Sequence, residues 1–317
     1  MNSPPALITR RDALIGAACL CCLSTRLRTA HAAQRTFETQ EIAPGIHVRK
    51  GVHENASAHN LDAIANVGFI VGTEAVAVMD PGGSLADGEQ LRRHIREITQ
   101  LPIRYVLMSH VHPDHIFGAG AFVQDKATFV GHAKLPAALA QRGDYYRMRL
   151  EEVLGEDAAG PIVQPTMLID TRSKLDLGDR TVELIAHPIA HTDNDVSALD
   201  SKTRTLFASD LLFVDRVPSL DGSLKGWMNE LKTLANLDSK RVVPGHGPAT
   251  VEFAPAARNL ERYLETLLTQ TRTAIADGVE IDEAPQFVGT SEREHWALFD
   301  EYHGHNVTQA FKELEWE

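Results

Sequence analysis

Cysteine is scarce in this chain of 317 residues, and its position matters as much as its number. The three cysteines, Cys19, Cys21 and Cys22, all lie within the first 32 residues, a segment that we expect to be removed. The remaining chain would then have no disulfide, no thiolate metal ligand and no cysteine nucleophile. Metal or hydrolytic chemistry in this protein must therefore use other side chains.

A long apolar run is also missing. The run Ala13–Leu23 is too short to cross a bilayer, for which about 20 apolar residues are needed. It follows the pair Arg10-Arg11 and precedes Ala30-His31-Ala32, an order typical of a twin-arginine signal peptide with small residues at the cleavage site. We predict that residues 1–32 are such a signal, that the protein is periplasmic, and that it has no stable membrane span.

The chain has no basic cluster and no internal repeat. Its formal net charge is −12, which argues against nucleic acid as a partner. Hydrophobic residues make up 43% and charged residues 23%, as in ordinary globular proteins. The length allows a sizeable core in one or two domains.

Apolar periodicity divides the rest of the chain into short strands and longer helices. We predict strands at 42–52, 66–71, 75–80, 103–108, 127–130, 167–169, 174–177, 181–186, 196–200, 204–209 and 241–243. We predict helices at 87–99, 118–122, 134–154, 224–237, 254–276 and 293–314. Strands followed by a helix, twice over, indicate an α/β fold in which two sheets pack together with helices outside.

The segment Ser109–His115 contains three imidazoles and a carboxylate directly after the apolar strand at 103–108. Histidine is the commonest metal ligand, and strand ends are where open α/β sheets place their sites. In an extended backbone His110, His112 and Asp114 would share a face, because side chains repeat every two residues. His115 would point elsewhere and serve a second ion.

The pattern His-x-His-x-Asp-His resembles the signature of the metallo-β-lactamase superfamily. The resemblance implies an αββα sandwich of two mixed sheets, here over residues 40–252 with a helical insert near 134–160, and C-terminal helices at 253–317 packed on the same domain. Three polar residues at later strand ends, His191, Asp210 and His246, fit the rest of that motif. His187 competes with His191, but the superfamily context His-Thr-x-x-(Asp/Asn) favours His191.

Carried over by resemblance, the first metal ion would be held by His110, His112 and His191. The second would be held by Asp114, His115 and His246, with Asp210 shared by both. The export signal and the tail Tyr302–Val307 resemble the quinoprotein relay system metallohydrolases in particular, which suggests a periplasmic quinoprotein as a partner.

The expected function is that of a binuclear zinc hydrolase acting on a small molecule. Zinc-bound hydroxide would attack an ester, lactone, thioester or lactam carbonyl, with Asp114 as a catalytic residue that also binds metal. Iron or manganese are alternatives to zinc. One alternative function is oxidation by a single iron held by His110, His112 and either Asp210 or His191, as in persulfide dioxygenases. Another is a non-catalytic periplasmic accessory protein.

Several other residues are candidates for the pocket wall. On the 134–154 helix these are Tyr145, Tyr146, Arg147 and Arg149, although a solvent-exposed helix face is the favoured interpretation. Single histidines are more often solvated or capping than functional. The remaining candidates are His53, His59, Tyr302, His303 and His305.

Overall fold

The first sheet is built from the N-terminal half of the chain. The computed structural model describes residues 37–317, so the predicted signal peptide and its cysteines lie outside the described residues. The seven strands are β1 (Gln40–Ala43), β2 (Ile46–Arg49), β3 (Val67–Val71), β4 (Val76–Met79), β5 (Ile103–Leu107), β6 (Thr128–His132) and β7 (Met167–Ile169). They lie in chain order, antiparallel from β1 to β4 and parallel from β4 to β7.

The second sheet has five strands. They are β8 (Arg172–Asp176), β9 (Thr181–Ala186), β10 (Val196–Asp200), β11 (Thr205–Phe213) and β12 (Arg241–His246), in the order β12-β11-β10-β9-β8. Only β11 and β12 pair in parallel. Strands β10 and β11 are buried along their whole length, as expected for strands covered on both faces.

The two sheets face each other across one apolar layer. Residues such as Ile70 and Leu107 of the first sheet share this layer with Leu184 and Phe207 of the second. Separate apolar clusters lie on the outer face of each sheet, beneath helices. The expected α/β sandwich of two mixed sheets with flanking helices is therefore confirmed.

Six α-helices accompany the sheets between residues 37 and 317. They are α1 (Leu85–Ile98), α2 (Pro113–Ile116), α3 (Leu135–Leu154), α4 (Leu224–Ala235), α5 (Phe253–Ala276) and α6 (Phe299–Leu314). The apolar cluster on the outer face of the first sheet packs under α1 and α3. Helices α4, α5 and α6 cover the outer face of the second sheet. Between residues 37 and 317, none of the helices combines the length and apolar character that crossing a bilayer requires.

The start of the last helix was predicted wrongly. We expected it at Arg293, but α6 begins at Phe299, after a 3₁₀ helix at Thr290–His295. The reason is a long-range backbone contact: Ala297 donates to the carbonyl of Asp215 and accepts from the amide of Val217. The backbone at Ala297 is extended because it forms this bridge, so the helix cannot begin before it.

Candidate metal centre

The polar residues singled out from the sequence meet at one edge of the sandwich. The turn after β5 carries His110, His112, Asp114 and His115, while His191, Asp210 and His246 lie after β9, within β11 and at the end of β12. The turn does not stay extended as we expected. Pro113 starts the single-turn helix α2. As a result the Asp114 side chain lies in the same donor group as His115 and not in that of His112.

The first group of donor atoms contains three imidazoles. The His112 Nδ1 atom lies 3.0 Å from His110 Nε2 and 3.0 Å from His191 Nε2, and the latter two are 3.3 Å apart. The Oδ2 atom of Asp210 is 3.4 Å from His191 Nε2 and 3.7 Å from His110 Nε2. Ligands about 2.1 Å from a tetrahedral zinc ion are separated by about 3.4 Å, so these spacings suit one ion.

The second group lies beside the first. The Oδ2 atom of Asp114 is 3.5 Å from His115 Nε2 and 3.3 Å from His246 Nε2. Asp210 contacts this group as well, with Oδ1 3.1 Å from His115 Nε2 and Oδ2 3.5 Å from His246 Nε2. Asp210 is thus placed to contribute to two neighbouring cation sites.

Two buried atoms in the cluster lack the bonds that buried polar atoms normally make. Within the described residues, neither His115 Nε2 nor Asp210 Oδ1 makes a hydrogen bond of normal geometry, although the two atoms lie 3.1 Å apart. Leaving such atoms unsatisfied is costly, and a bound cation would satisfy both. The donor set therefore fits a pair of metal ions.

The electrostatics favour the metal-binding forms at part of the cluster. Burial lowers the pKa of His191, and burial together with His115 lowers that of His110, so both rings are neutral. Burial alone would raise the pKa of Asp114 and Asp210, but the neighbouring His115 and His246 outweigh it and both carboxyls ionise. Neutral imidazole and carboxylate are the metal-binding forms. Nearby carboxylates outweigh burial and raise the pKa of His112 and His115, so these two rings would release a proton on binding a cation.

The outward-facing ring nitrogens of the histidines are held by fixed acceptors. Asp80 lies 2.8 Å from His115 Nδ1, and the Ile64 carbonyl lies 3.0 Å from His246 Nδ1. Asp221 lies 2.8 Å from His112 Nε2. Such partners orient a ligating ring and select its tautomer.

Sequence reasoning missed both of these aspartates as members of the site. Asp80 had a signal, because it directly follows β4 and precedes the turn Pro81-Gly82-Gly83. Asp221 had none, since it lies in a loop without a recognisable pattern.

Gly245, in the motif Pro244–Gly247, lies directly against Asp210 and leaves no room for a side chain. A Cβ atom added at Gly245 would overlap Asp210 Oδ1 and the backbone of Ser209. The small residue thus lets β12 approach the carboxylate shared by both groups.

A cavity of about 580 Å³ opens above the donor atoms. Helix α3 borders this cavity with Tyr145, Tyr146 and Arg149. Tyr146 is half-buried, whereas Tyr145 and Arg149 are exposed to solvent, as the favoured interpretation expected. Arg147 pairs with Asp144 at the surface.

The C-terminal helix contributes two further lining residues, Tyr302 and His305. His303, next to them, is instead buried between Tyr263 and the Val288 carbonyl. Among the residues that the structure describes, His53 and His59 are not part of the cavity lining.

His187, the competitor of His191, is engaged elsewhere. Its ring lies 2.7 Å from Glu230 through Nδ1 and 2.7 Å from Ser197 through Nε2. Both ring nitrogens are therefore occupied by buried partners, and it is His191 that reaches the donor group.

Comparison with known proteins agrees with this architecture. A family profile described as the metallo-beta-lactamase superfamily matches residues 62–246. The beta-lactamase-like protein 2 homolog of Caenorhabditis elegans is 22% identical over 209 residues, 65% of this chain and 63% of that protein. The chain thus spans less than two thirds of the length of this curated relative.

Solved structures show the same fold. The metallo-beta-lactamase from Pontibacter korlensis superposes with a TM-score of 0.58 at 17% identity, covering 72% of this chain and 98% of that chain. A stereoselective inverting sec-alkylsulfatase from a Pseudomonas species gives a TM-score of 0.68 at 15% identity, covering 86% of this chain and 49% of that chain. Its greater coverage of this chain means that the similarity extends beyond the region matched by the family profile.

Proposed function

Because the chain belongs to the metallo-beta-lactamase superfamily, we propose that it is a binuclear zinc hydrolase acting on an ester, lactone, thioester or lactam. One observation carries the proposal. Two groups of donor atoms, joined by Asp210, lie at the base of a cavity large enough for a small molecule.

Each donor group supplies ligands that suit zinc. His110, His112 and His191 would hold one ion, Asp114, His115 and His246 the other, and Asp210 both. Imidazole and carboxylate without thiolate are a common zinc ligand set. When bound, the two cations supply Lewis acidity toward a carbonyl oxygen and lower the pKa of water from 15.7 to about 7.

The chain's own residues would position the reactants. Asp114 both reaches the second donor group and lines the cavity, and it is ionised, so it can accept a hydrogen bond from the attacking water. Tyr146 and Leu150 of α3 line the same cavity, and the Tyr146 ring lies 6.3 Å from the ring of His112.

The test combines metal analysis with a substrate screen. We expect two zinc ions per chain and hydrolysis of an activated ester, lactone, thioester or β-lactam. His110→Ala and Asp114→Ala should each lower kcat/KM by at least about 10³-fold, because metal and water activation are lost together. The matched control is His59→Ala, which removes an exposed imidazole outside the cavity and should keep wild-type activity.

Two results would overturn this proposal. Wild-type turnover in either ligand variant would show that the donor atoms are not used. One iron per chain with oxygen-dependent oxidation of a persulfide would replace hydrolysis by the oxidative alternative.

Sulfate esters belong in the same screen. The sec-alkylsulfatase aligns with 86% of this chain, including more than the segment matched by the family profile. Hydrolysis of an alkyl sulfate but of no carbonyl substrate would mean that the substrate is a sulfate ester. The proposed metal centre would still stand.

We also propose that the protein is exported to the periplasm by the twin-arginine route. The support is the order of Arg10-Arg11, the apolar run and Ala30-His31-Ala32. A periplasmic quinoprotein partner belongs to the same proposal and rests on the resemblance of the tail Tyr302–Val307.

A further inference from the structure

Arg216 is a buried cation on the cavity wall. It is only 5% exposed and yet lines the cavity. Among residues 37–317 no carboxylate lies within ion-pairing distance of its guanidinium group. A buried charge without an opposite charge is costly, and an anionic ligand in the cavity would offset that cost.

The contacts that Arg216 does make hold it in place without neutralising it. Its Nη2 atom donates to the Tyr302 hydroxyl at 3.2 Å, and the guanidinium lies 5.3 Å from the centre of the same ring. The Tyr302 hydroxyl in turn donates to Asn55 Oδ1 at 2.9 Å. Tyr302 therefore positions the guanidinium, and its own proton is already used.

The other cavity-lining carboxyl groups are committed elsewhere. Asp114 and Asp210 belong to the donor groups, and Asp221 is bonded to His112 and His305. Burial and the neighbouring Asp114 raise the pKa of Asp62 well above its ordinary value, and they outweigh Arg216, which is close enough to lower that pKa, so the neutral form is favoured. The charge of Arg216 is thus left for a molecule that enters the cavity.

The position of Arg216 places that molecule beside the metal centre. Its Nη1 atom lies 3.5 Å from Nδ1 of His246, a member of the second donor group. The planar fork of a guanidinium binds carboxylate or sulfate oxygens through two parallel hydrogen bonds. Apolar side chains of α3, including Leu150 and Val153, line another part of the cavity.

We propose that Arg216 binds an anionic group of the substrate, a carboxylate or a sulfate, next to the metal centre. The substrate class then becomes anionic esters with an apolar part. This inference rests on the proposed function, because it assumes that the cavity holds the hydrolysed substrate.

A matched pair of substrates tests it on the metal-loaded protein. The 4-nitrophenyl ester of butyric acid and the 4-nitrophenyl monoester of glutaric acid share a leaving group and differ in one carboxylate. We expect the wild type to prefer the charged ester. Arg216→Gln should lower its kcat/KM about 10- to 100-fold, mainly through KM, and change the neutral ester less than about 2-fold.

Three further measurements separate binding from folding. Arg216→Lys keeps the charge but not the fork and should restore part of the preference. Arg147→Gln, a surface arginine on α3 outside the cavity lining, is the matched control and should behave as wild type. Calorimetric binding of glutarate and of inorganic sulfate tells which anion the site favours, and metal content must stay unchanged in every variant.

The outcomes are distinguishable from those of the hydrolase proposal. Equal losses for both esters in Arg216→Gln, or a wild type that prefers the neutral ester and binds neither anion, would overturn the anion subsite and leave the hydrolase intact. Arg216-dependent binding of glutarate or sulfate without hydrolysis of any ester would support the subsite and refute the hydrolase.

Discussion

At the scale of single residues, Asp221 connects the candidate metal centre to two helices. Its carboxylate lies 2.8 Å from His112 Nε2 and 2.8 Å from His305 Nε2, and Arg142 of α3 lies 3.5 Å away. Burial would raise the pKa of Asp221, but the hydrogen bonds from the two histidines outweigh burial and hold the pKa well below its ordinary range. Asp221 is therefore a charged acceptor that fixes the orientation of His112.

We predict that Asp221→Ala weakens zinc binding about 10- to 100-fold, as loss of such an outer partner commonly does. The measurement is competition with a chromogenic chelator, together with the visible spectrum of the cobalt-loaded protein, which reports ligand geometry. Asp221→Asn keeps an acceptor oxygen and should restore part of the affinity. His305→Gln leaves the bond to His112 in place and serves as the control, and equal affinity in Asp221→Ala and wild type would contradict the assigned role.

At the scale of elements, helix α1 is tied to the segment that follows the histidine cluster. Asp125 ends a 3₁₀ helix at Phe117–Asp125 and bonds to two arginines of α1, Arg92 Nε at 2.6 Å and Arg96 Nη2 at 2.7 Å. The backbones also touch, because a Cβ at Gly88 would overlap Gly118. The turn carrying four of the donor residues thus rests on α1.

We predict that Asp125→Asn lowers the free energy of unfolding by about 2 kcal/mol at pH 7, because a nearly buried carboxylate loses charged hydrogen bonds. Burial raises the pKa of Asp125, but the hydrogen bonds from Arg92 and Arg96 outweigh it and lower the pKa on folding. The stabilisation is therefore present above the unfolded pKa of about 3.9 and is lost as the pH falls through the folded value.

Urea unfolding of wild type and Asp125→Asn at pH 7 and at pH 3.5 measures this effect. The difference between the two proteins should shrink at the lower pH. Asp144→Asn, which removes an exposed partner of Arg147, is the control and should change the free energy of unfolding by less than about 0.5 kcal/mol. A difference that grows at low pH would contradict the argument.

Element boundaries show where local sequence patterns stop being sufficient. Apolar periodicity located α1 and α3 to within two residues, because the buried face repeats along the helix itself. It failed at Arg293–Leu298, where the backbone pairs with Asp215 and Val217 instead. It also failed after His112, where Pro113 begins a helical turn rather than continuing extended chain.

At the scale of the whole molecule, the donor atoms join the two sheets. His110, His112, Asp114 and His115 follow a strand of the first sheet, whereas the other three ligand candidates belong to the second. Ions held by both sets would bind the folded protein far better than the unfolded chain. Binding free energy then becomes folding free energy.

We predict that removing the metal with a chelator lowers the melting temperature by about 10 °C, since a ligand at 1,000 times its Kd stabilises the folded state by about 4 kcal/mol. Differential scanning calorimetry of the zinc-loaded and the chelated protein measures this. His246→Ala, which lacks a ligand from the second sheet, should show a smaller shift. Identical melting temperatures with and without metal would mean that the cations do not join the sheets.

The sequence by itself determined the elements and the chemistry of the candidate ligands. Strand and helix periodicity are local properties, and a cluster such as His110–His115 is unusual enough to be recognised in isolation. The sequence context His-Thr-x-x-(Asp/Asn), given by the family resemblance, was also sufficient to select His191 over His187 as the residue that reaches the site.

Only the tertiary structure decided how these residues combine. It set the distances within the two donor groups, placed Asp221 against His112, and brought Tyr146 of α3 and Tyr302 and His305 of α6 to the cavity wall. It also left Arg216 buried without an ion-pair partner among the described residues. The physical reason is that each of these relations joins residues far apart in the chain, and such contacts are set by how sheets and helices pack, not by any pattern along one segment.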